Sequence, residues 1–324
     1  MTVQNHLREL LESNKSVFLS GEEIAKRLGV SRNAVWKAIK ALQADGYPIE
    51  AVPNRGYCLA AQSDVLSESG VRRYLAGEAQ SLDLHVYDAV SSTNLVLREL
   101  AGKGAPEGTV VIAARQTGGR GRKGRSFFSP EGTGVYVSLL LKPKIAPDAA
   151  TLITTTAAVA VCGAVEALSD RKAEIKWVND VFVDKKKICG ILTEGSFDME
   201  SGQFEYAVLG TGINVYTPKD GFPEEIRAVA GSVFSAPVPD AKNRMIAEYL
   251  NHFLPLYRNL GGEETISEYR RRSFVIGKNV TVLSGEKSTP ARAVDVDGQC
   301  RLIVEYGDGT RAALSSGEIS IRIT

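Results

Sequence analysis

Apolar positions open the chain at helical spacing. Val3, Leu7, Leu10 and Leu11 recur three and four residues apart with polar residues between them, the stripe of an amphipathic helix. A short apolar run, Val17-Phe18-Leu19, follows. Ser20 with Glu23 three residues on is a capping box, and the helix it opens carries Ile24 and Leu28 before Gly29 ends it. Ser31 caps a third helix, with Val35, Ile39 and Leu42 on its inner face and Gly46 as its stop. In YPIEAVPNRGYCLA two apolar runs flank Pro53-Asn54-Arg55-Gly56, a hairpin signal. Helix, helix-turn-helix and hairpin, in that order, predict a winged helix-turn-helix domain over residues 1–63. Residues 61–80, with Ser, Glu, Arg and Gly, read as a connector with one short helix.

Strand-like and helical runs then alternate to residue 273. Candidate strands are 82–87, 109–114, 135–141, 174–178, 188–194 and 204–212, and candidate helices 93–102, 149–168 and 241–260. They predict a mixed α/β domain over residues 64–273. Residues 274–324 hold only short strand patterns and turns, Gly307-Asp308-Gly309 among them, and predict a small SH3-like β-barrel of about five strands. The fold class is α/β, in its α+β form, with three domains.

Ala149 to Val165 is the least charged stretch, but it is built mainly from Ala and Thr between Asp148 and Glu166. A membrane span needs about 20 strongly apolar residues, so a buried core helix is expected and no membrane partner. The opening MTVQNHLREL has acids and no apolar core, so no signal peptide is expected and the protein reads as cytoplasmic. The four cysteines, Cys58, Cys162, Cys189 and Cys300, form no pair at metal-ligand spacing, so thiols are expected rather than zinc or disulfides.

Net charge is +1, so any nucleic-acid site must be local. The third helix of a helix-turn-helix can lie in the major groove. Here Arg32, Asn33, Trp36, Lys37 and Lys40 fall off its apolar stripe, and Arg55 sits at the hairpin tip. Arg and Asn match guanine and adenine edges, and lysines suit phosphates. The competing reading is a head used only for protein contacts. Residues 1–60 carry eight basic and six acidic side chains, so tight DNA binding implies a homodimer.

The run ARQTGGRGRKGRSFFSP, Ala114 to Pro130, contains Gly119-Arg120-Gly121-Arg122-Lys123-Gly124, which matches the dinucleotide pattern G-x-G-x-x-G. That match fails, because such a turn runs straight into a helix with an acid about 20 residues on. Here SFFSPEGTG follows, and VYVSLLL stands where the acid should be. What remains is mobility from glycine and charge from Arg115, Arg120, Arg122, Lys123 and Arg125. Such a loop can close over an anionic ligand or contact a nucleic acid, and alone it does not choose between them.

Three further segments join this loop: SSTN (Ser91 to Asn94), KWVND (Lys176 to Asp180), and KKKICGILTE (Lys185 to Glu194), the last followed by GTGIN (Gly210 to Asn214). In this order and spacing they resemble the biotin protein ligase family. The whole chain, with its head and its last strand GEISIR (Gly317 to Arg322), resembles the bifunctional bacterial members that also repress transcription. Val178 stands where the family usually has Pro.

The resemblance implies a two-step reaction with biotin and ATP as substrates and Mg²⁺ as helper. Biotinyl-5′-AMP forms first, and a lysine of a biotin carboxyl carrier protein then takes the biotin. In related repressors the adenylate is the corepressor, and operator DNA the further partner. Lys187, Arg120 and Asp180 are the catalytic candidates, Asp180 for orienting or deprotonating the acceptor lysine. Ser92, Thr93, Asn94, Gln116, Gly119, Arg120, Gly121, Arg122 and Lys187 are expected around biotin, with Asn94 supporting its strand–helix turn. Arg122, Asn214 and Arg322 are expected at the nucleotide, and no fixed protein metal ligands. Trp177 is open between core and pocket, Cys189 is expected to be packing, and Arg270-Arg271-Arg272 a solvated helix face. The alternative is a repressor whose α/β domain senses a small molecule without catalysis.

Overall fold

The computed structural model describes residues 2–197, 204–284, 287–315 and 319–323; for residues 148 and 319–323 the description is of the backbone alone. The chain divides into two compact units, Met1–Leu75 with Pro237–Ala247, and Ala76–Ala236 with Glu248–Thr324. The expected boundary at residue 63 falls inside the first of them.

In the first unit α1 (Val3–Ser13), α2 (Gly21–Leu28) and α3 (Arg32–Ala44) precede the hairpin β1 (Ile49–Val52) and β2 (Gly56–Leu59), and α4 (Glu68–Arg72) follows. The caps work as the sequence predicts. Ser20 and Ser31 accept from the backbone N–H groups of Glu23 and Ala34, and Gly29 closes α2 at a φ of 66°. Glu23 does not complete the box as drawn; its carboxylate pairs with Arg27 one turn on. Leu7, Leu11, Ile24, Val35, Ile39 and Leu42 make one core, closed by Ile49 and Leu59. The apolar run Val17-Phe18-Leu19 has its use here, since Leu19 forms an isolated antiparallel bridge to Tyr57 on the edge of the two-stranded wing.

The second unit is built on a seven-stranded sheet. Its elements are β3 (Asp83–Val90), α5 (Thr93–Gly102), β4 (Thr109–Gln116), β5 (Gly134–Leu141), α6 (Thr151–Leu168), β6 (Ala173–Lys176), β7 (Asp180–Val183), β8 (Lys186–Phe197) and β9 (Phe204–Asn214). The strand order is β3-β4-β5-β9-β8-β7-β6, with β3 and β4 parallel and the other pairs antiparallel. After α7 (Glu224–Arg227) come α8 (Ala241–Arg258) and α9 (Glu263–Arg272). Helix α6 is long and apolar enough to cross a membrane, but it is buried on nearly every face, as a core helix must be. Strand β7 was not among the expected strands: four residues inside the KWVND turn and its sequel are too few for a period to show.

The C-terminal strands β10 (Asn279–Ser284), β11 (Lys287–Val296), β12 (Leu302–Tyr306), β13 (Arg311–Leu314) and β14 (Ile319–Ile323) form one antiparallel sheet in the order β13-β12-β11-β10-β14. Helix α9 ties it to the larger sheet. Arg270 donates to Asp295 and to the Val296 carbonyl, and Arg272 makes two bonds to Glu166 and one each to Glu268 and the Ala173 carbonyl. The expectation of a solvated Arg270-Arg271-Arg272 face therefore holds for Arg271 alone; the Arg272 side chain is only 9% exposed. Charge alone cannot tell a solvated arginine from one held between carboxylates of other elements.

Candidate active site

A cavity opens over the ends of β4, β8 and β9, and the expected residues converge on it. Ser92, Thr93 and Asn94, at the start of α5, form its neutral polar floor with Gln116 at the end of β4. The glycine–arginine loop supplies Arg120, Gly121, Arg122, Lys123 and Arg125. The KWVND segment supplies Lys176, Trp177, Asn179 and Asp180, and β8 supplies Lys187.

The glycine run enters no α-helix; it makes only a single 3-10 turn, Arg122–Gly124. Gly121 N–H bonds the Arg125 carbonyl at 2.7 Å, and Arg120 bridges Ser126, so the loop doubles back. Gly119 does not line the cavity; it is needed behind it, where a Cβ would lie 2.4 Å from the Phe127 carbonyl oxygen. Phe127 lies across β9, 2.5 Å from where a Cβ on Gly212 would be, and forms the apolar wall.

The charged groups are paired and aimed. Lys187 Nζ is 2.7 Å from Asp180 Oδ1. It is the second residue of β8, whereas Asp184 and Lys185 form the turn at positive φ, so the lysine run divides between turn and strand. Arg122 donates to Asn179 Oδ1 at 3.0 Å, while Asn179 Nδ2 donates to the Ile191 carbonyl at 2.9 Å. Burial pulls the Arg122 guanidinium below its ordinary pKa and nearby Asp180 pushes it back up. Among the lining residues described, Asp180 is the one carboxylate, against the cations Arg120, Arg122, Lys123, Arg125, Lys176 and Lys187.

Trp177 is both core and cavity wall: it is 5% exposed, and its indole N–H donates to the Cys300 carbonyl of the C-terminal sheet at 2.9 Å. The Trp177–Val178 peptide is cis, and Tyr269 holds the Val178 carbonyl at 3.0 Å. Cys189 is fully buried packing, and all four cysteines are free and buried. Asn94 supports more than its own turn, since its amide reaches Glu194 on β8.

Besides Gly119, one expected residue is not among those lining the cavity. Asn214 donates to the Gly231 carbonyl at 3.0 Å instead of lining it. Arg322 pairs through its backbone with Thr281, and its side chain lies outside the described residues. Asn179, Lys176 and Phe127 are lining residues the sequence reading did not single out, although the first two stand inside KWVND. In the first unit Arg32, Asn33, Trp36, Lys37 and Lys40 share the exposed face of α3. The exposed Arg55 lies over the Phe18 ring, 4.1 Å from its centroid.

A winged head on a chain whose second unit gathers six cations beside a neutral polar floor belongs to a known class. Residues 86–214 match the biotin/lipoate A/B protein ligase family, residues 3–58 an HTH domain, and residues 275–322 the biotin protein ligase C-terminal domain. The chain is 35% identical to the bifunctional ligase/repressor BirA of Bacillus spizizenii, over 97% of this chain and 98% of that protein. It is 34% identical to its counterpart in Bacillus subtilis over the same shares. A solved biotin protein ligase from Aquifex aeolicus, in complex with biotin and ATP, is 27% identical and superposes with a TM-score of 0.64, covering 75% of this chain and 99% of that one. The chain belongs to the biotin protein ligase family, as a bifunctional ligase/repressor.

Proposed function

We propose that the cavity joins biotin to ATP and passes the biotin to a lysine of a biotin carboxyl carrier protein. The carrying observation is its charge: six cations face one carboxylate, beside the uncharged floor of Ser92, Thr93, Asn94 and Gln116. The first step brings two anions together, and fixed positive charge lowers that barrier. Biotin's carboxylate oxygen attacks the α-phosphorus of ATP; the bond to the bridging oxygen breaks, pyrophosphate leaves, and biotinyl-5′-AMP remains. Arg120, Arg122 and Lys187 hold the carboxylate and phosphates by charge-assisted hydrogen bonds, and Asn179 keeps Arg122 aimed. The floor residues meet the ureido ring, and Gly119 and Gly121 let the loop come close.

In the second step the acceptor amine attacks the mixed-anhydride carbonyl and AMP leaves. Asp180 orients that amine or takes its proton once phosphate draws Lys187 away. Asn214 serves the nucleotide through the Gly231 segment it holds, and Arg322 is assigned there on family resemblance. Among the described residues no cluster of three His, Cys, Asp or Glu offers a metal cage. Mg²⁺ would therefore come with the phosphates of ATP and offset their charge, rather than sit in a cage of fixed protein ligands.

The exposed face of α3 and Arg55 read operator DNA, with biotinyl-5′-AMP as corepressor of a homodimer. With modest basic charge per head, two heads on a two-fold operator supply the contacts one lacks. Incubation with biotin, ATP, Mg²⁺ and a carrier domain tests the ligase: the carrier gains one biotinyl mass. Absence of both that gain and biotin-dependent pyrophosphate–ATP exchange would leave a ligand sensor without catalysis. Sedimentation tests the coupling: added biotinyl-adenylate promotes dimers and tightens operator binding.

A further inference from the structure

The wing of the first unit turns on a backbone with little freedom. Pro53 and Asn54 stand at the centre of the turn, Asn54 at a φ of 64°, and the Arg55 N–H closes it on the Val52 carbonyl at 3.1 Å. Gly56 follows at a φ of 101°, where a Cβ would lie 2.0 Å from the Leu19 carbonyl oxygen. That carbonyl accepts the Tyr57 N–H at 2.8 Å, and the Leu19 N–H donates to the Tyr57 carbonyl at 2.9 Å. The backbone that carries Arg55 is therefore fixed, and so is the segment that carries Phe18 beside it.

The Arg55 side chain has no such hold. It is exposed, and among the described residues no carboxylate pairs with it. What it does meet is the half-buried ring of Phe18, with the guanidinium carbon 4.1 Å from the ring centroid. We propose that Phe18 is a positioning residue for DNA binding, whose ring holds the Arg55 guanidinium at the wing tip to take a phosphate of the DNA backbone. The inference rests on the reading of the first unit as a DNA reader.

The ring's quadrupole attracts the cation without neutralising it, and a fork with five N–H donors keeps most of them for an anion. A free surface arginine gives up rotamer freedom when it takes a phosphate; one already held by a ring has lost part of it before DNA arrives. The head needs such economy. Residues 1–60 carry eight basic and six acidic side chains, so each ordered cation is a large share of its attraction for a polyanion. Phosphate contacts are blind to sequence, and the probe need not be the operator.

The test is binding of the full chain to a short fluorescent duplex of scrambled sequence, read by anisotropy across a range of salt. Arg55→Ala is expected to weaken binding about tenfold at low salt and to lower the slope of log affinity against log salt by about one. Phe18→Leu is expected to weaken it about fourfold, the worth of an exposed cation–π contact. Phe18→Tyr keeps a ring face and is expected to stay within about twofold of the parent. Placed on Arg55→Ala, Phe18→Leu is expected to cost nothing further, because it acts through the guanidinium. A ring that served only the fold would cost the same with or without Arg55, so equal losses in both backgrounds overturn the proposal. Parent-like binding by Phe18→Leu or by Arg55→Ala, or a tyrosine variant as weak as the leucine one, overturns it as well. If Phe18→Leu does not fold, Phe18→Met, which keeps the bulk without the ring, is read by the same cycle. A parent that does not bind the duplex overturns the DNA reading and the proposal together, whereas a binding parent with unaltered Phe18 variants overturns the proposal alone.

Discussion

Glu12 is a buried carboxylate held at a cost, and removing its charge is expected to stabilise the first unit. The side chain lies near the end of α1, 1% exposed, and neither oxygen has a hydrogen-bond partner among the described residues. Burial pushes its pKa from 4.5 to about 7; Lys15, Arg73 and Arg8 pull it down and Asp240 pushes it up. The favourable pairing nearby goes elsewhere, since Lys15 binds Asp240 at 2.7 Å. With the folded pKa above the unfolded one, stability is full below pH 4.5 and is lost as pH rises through about 7. Above both values the loss is about 3 kcal/mol. Glu12→Gln keeps the shape and stays neutral, so it should recover most of that at pH 8 and almost nothing at pH 4. Hydrogen exchange of the α1 amides in the intact chain reads it directly, as roughly a hundredfold gain in protection at pH 8. An equal gain at both pH values, or none at pH 8, would refute the desolvation argument.

Lys187→Ala should cut adenylate synthesis by about a hundredfold or more while leaving the melting temperature near normal, because its partner Asp180 stays part-exposed; exchange assays and calorimetry check both. Arg32→Ala with Asn33→Ala should abolish operator footprints and leave carrier biotinylation intact, since both side chains are exposed on α3. Arg272→Ala should destabilise the second unit by about 2 kcal/mol, measured by urea unfolding, because it leaves Glu166 and Glu268 without their shared cation. Glu268, held down to about 2 mainly by its hydrogen bond from Arg271, with Arg272 adding to it, should also regain part of its ordinary titration in that variant, so that stability is lost at a higher pH as acid is added.

The winged head was legible in the sequence because its information is local. Ser20, Ser31 and Gly29 cap helices through bonds three or four residues away, and the Val35, Ile39, Leu42 stripe has a period short enough to see. The candidate cavity was half legible: Gln116, Arg122, Asp180 and Lys187 stood in recognisable motifs. What those motifs could not disclose was which side chains meet. Asn179 aims Arg122 across 57 positions, and Glu194 reaches Asn94 across 100. No pattern in one dimension marks such pairs, because sheet order β5-β9-β8-β7 is what lays them side by side. Arg272 shows the converse: its triplet looks like a solvated face until α9 packs it against Glu166. Local propensity and periodicity made the elements; long-range packing alone decided which polar groups were taken out of water, and so which had to find a partner.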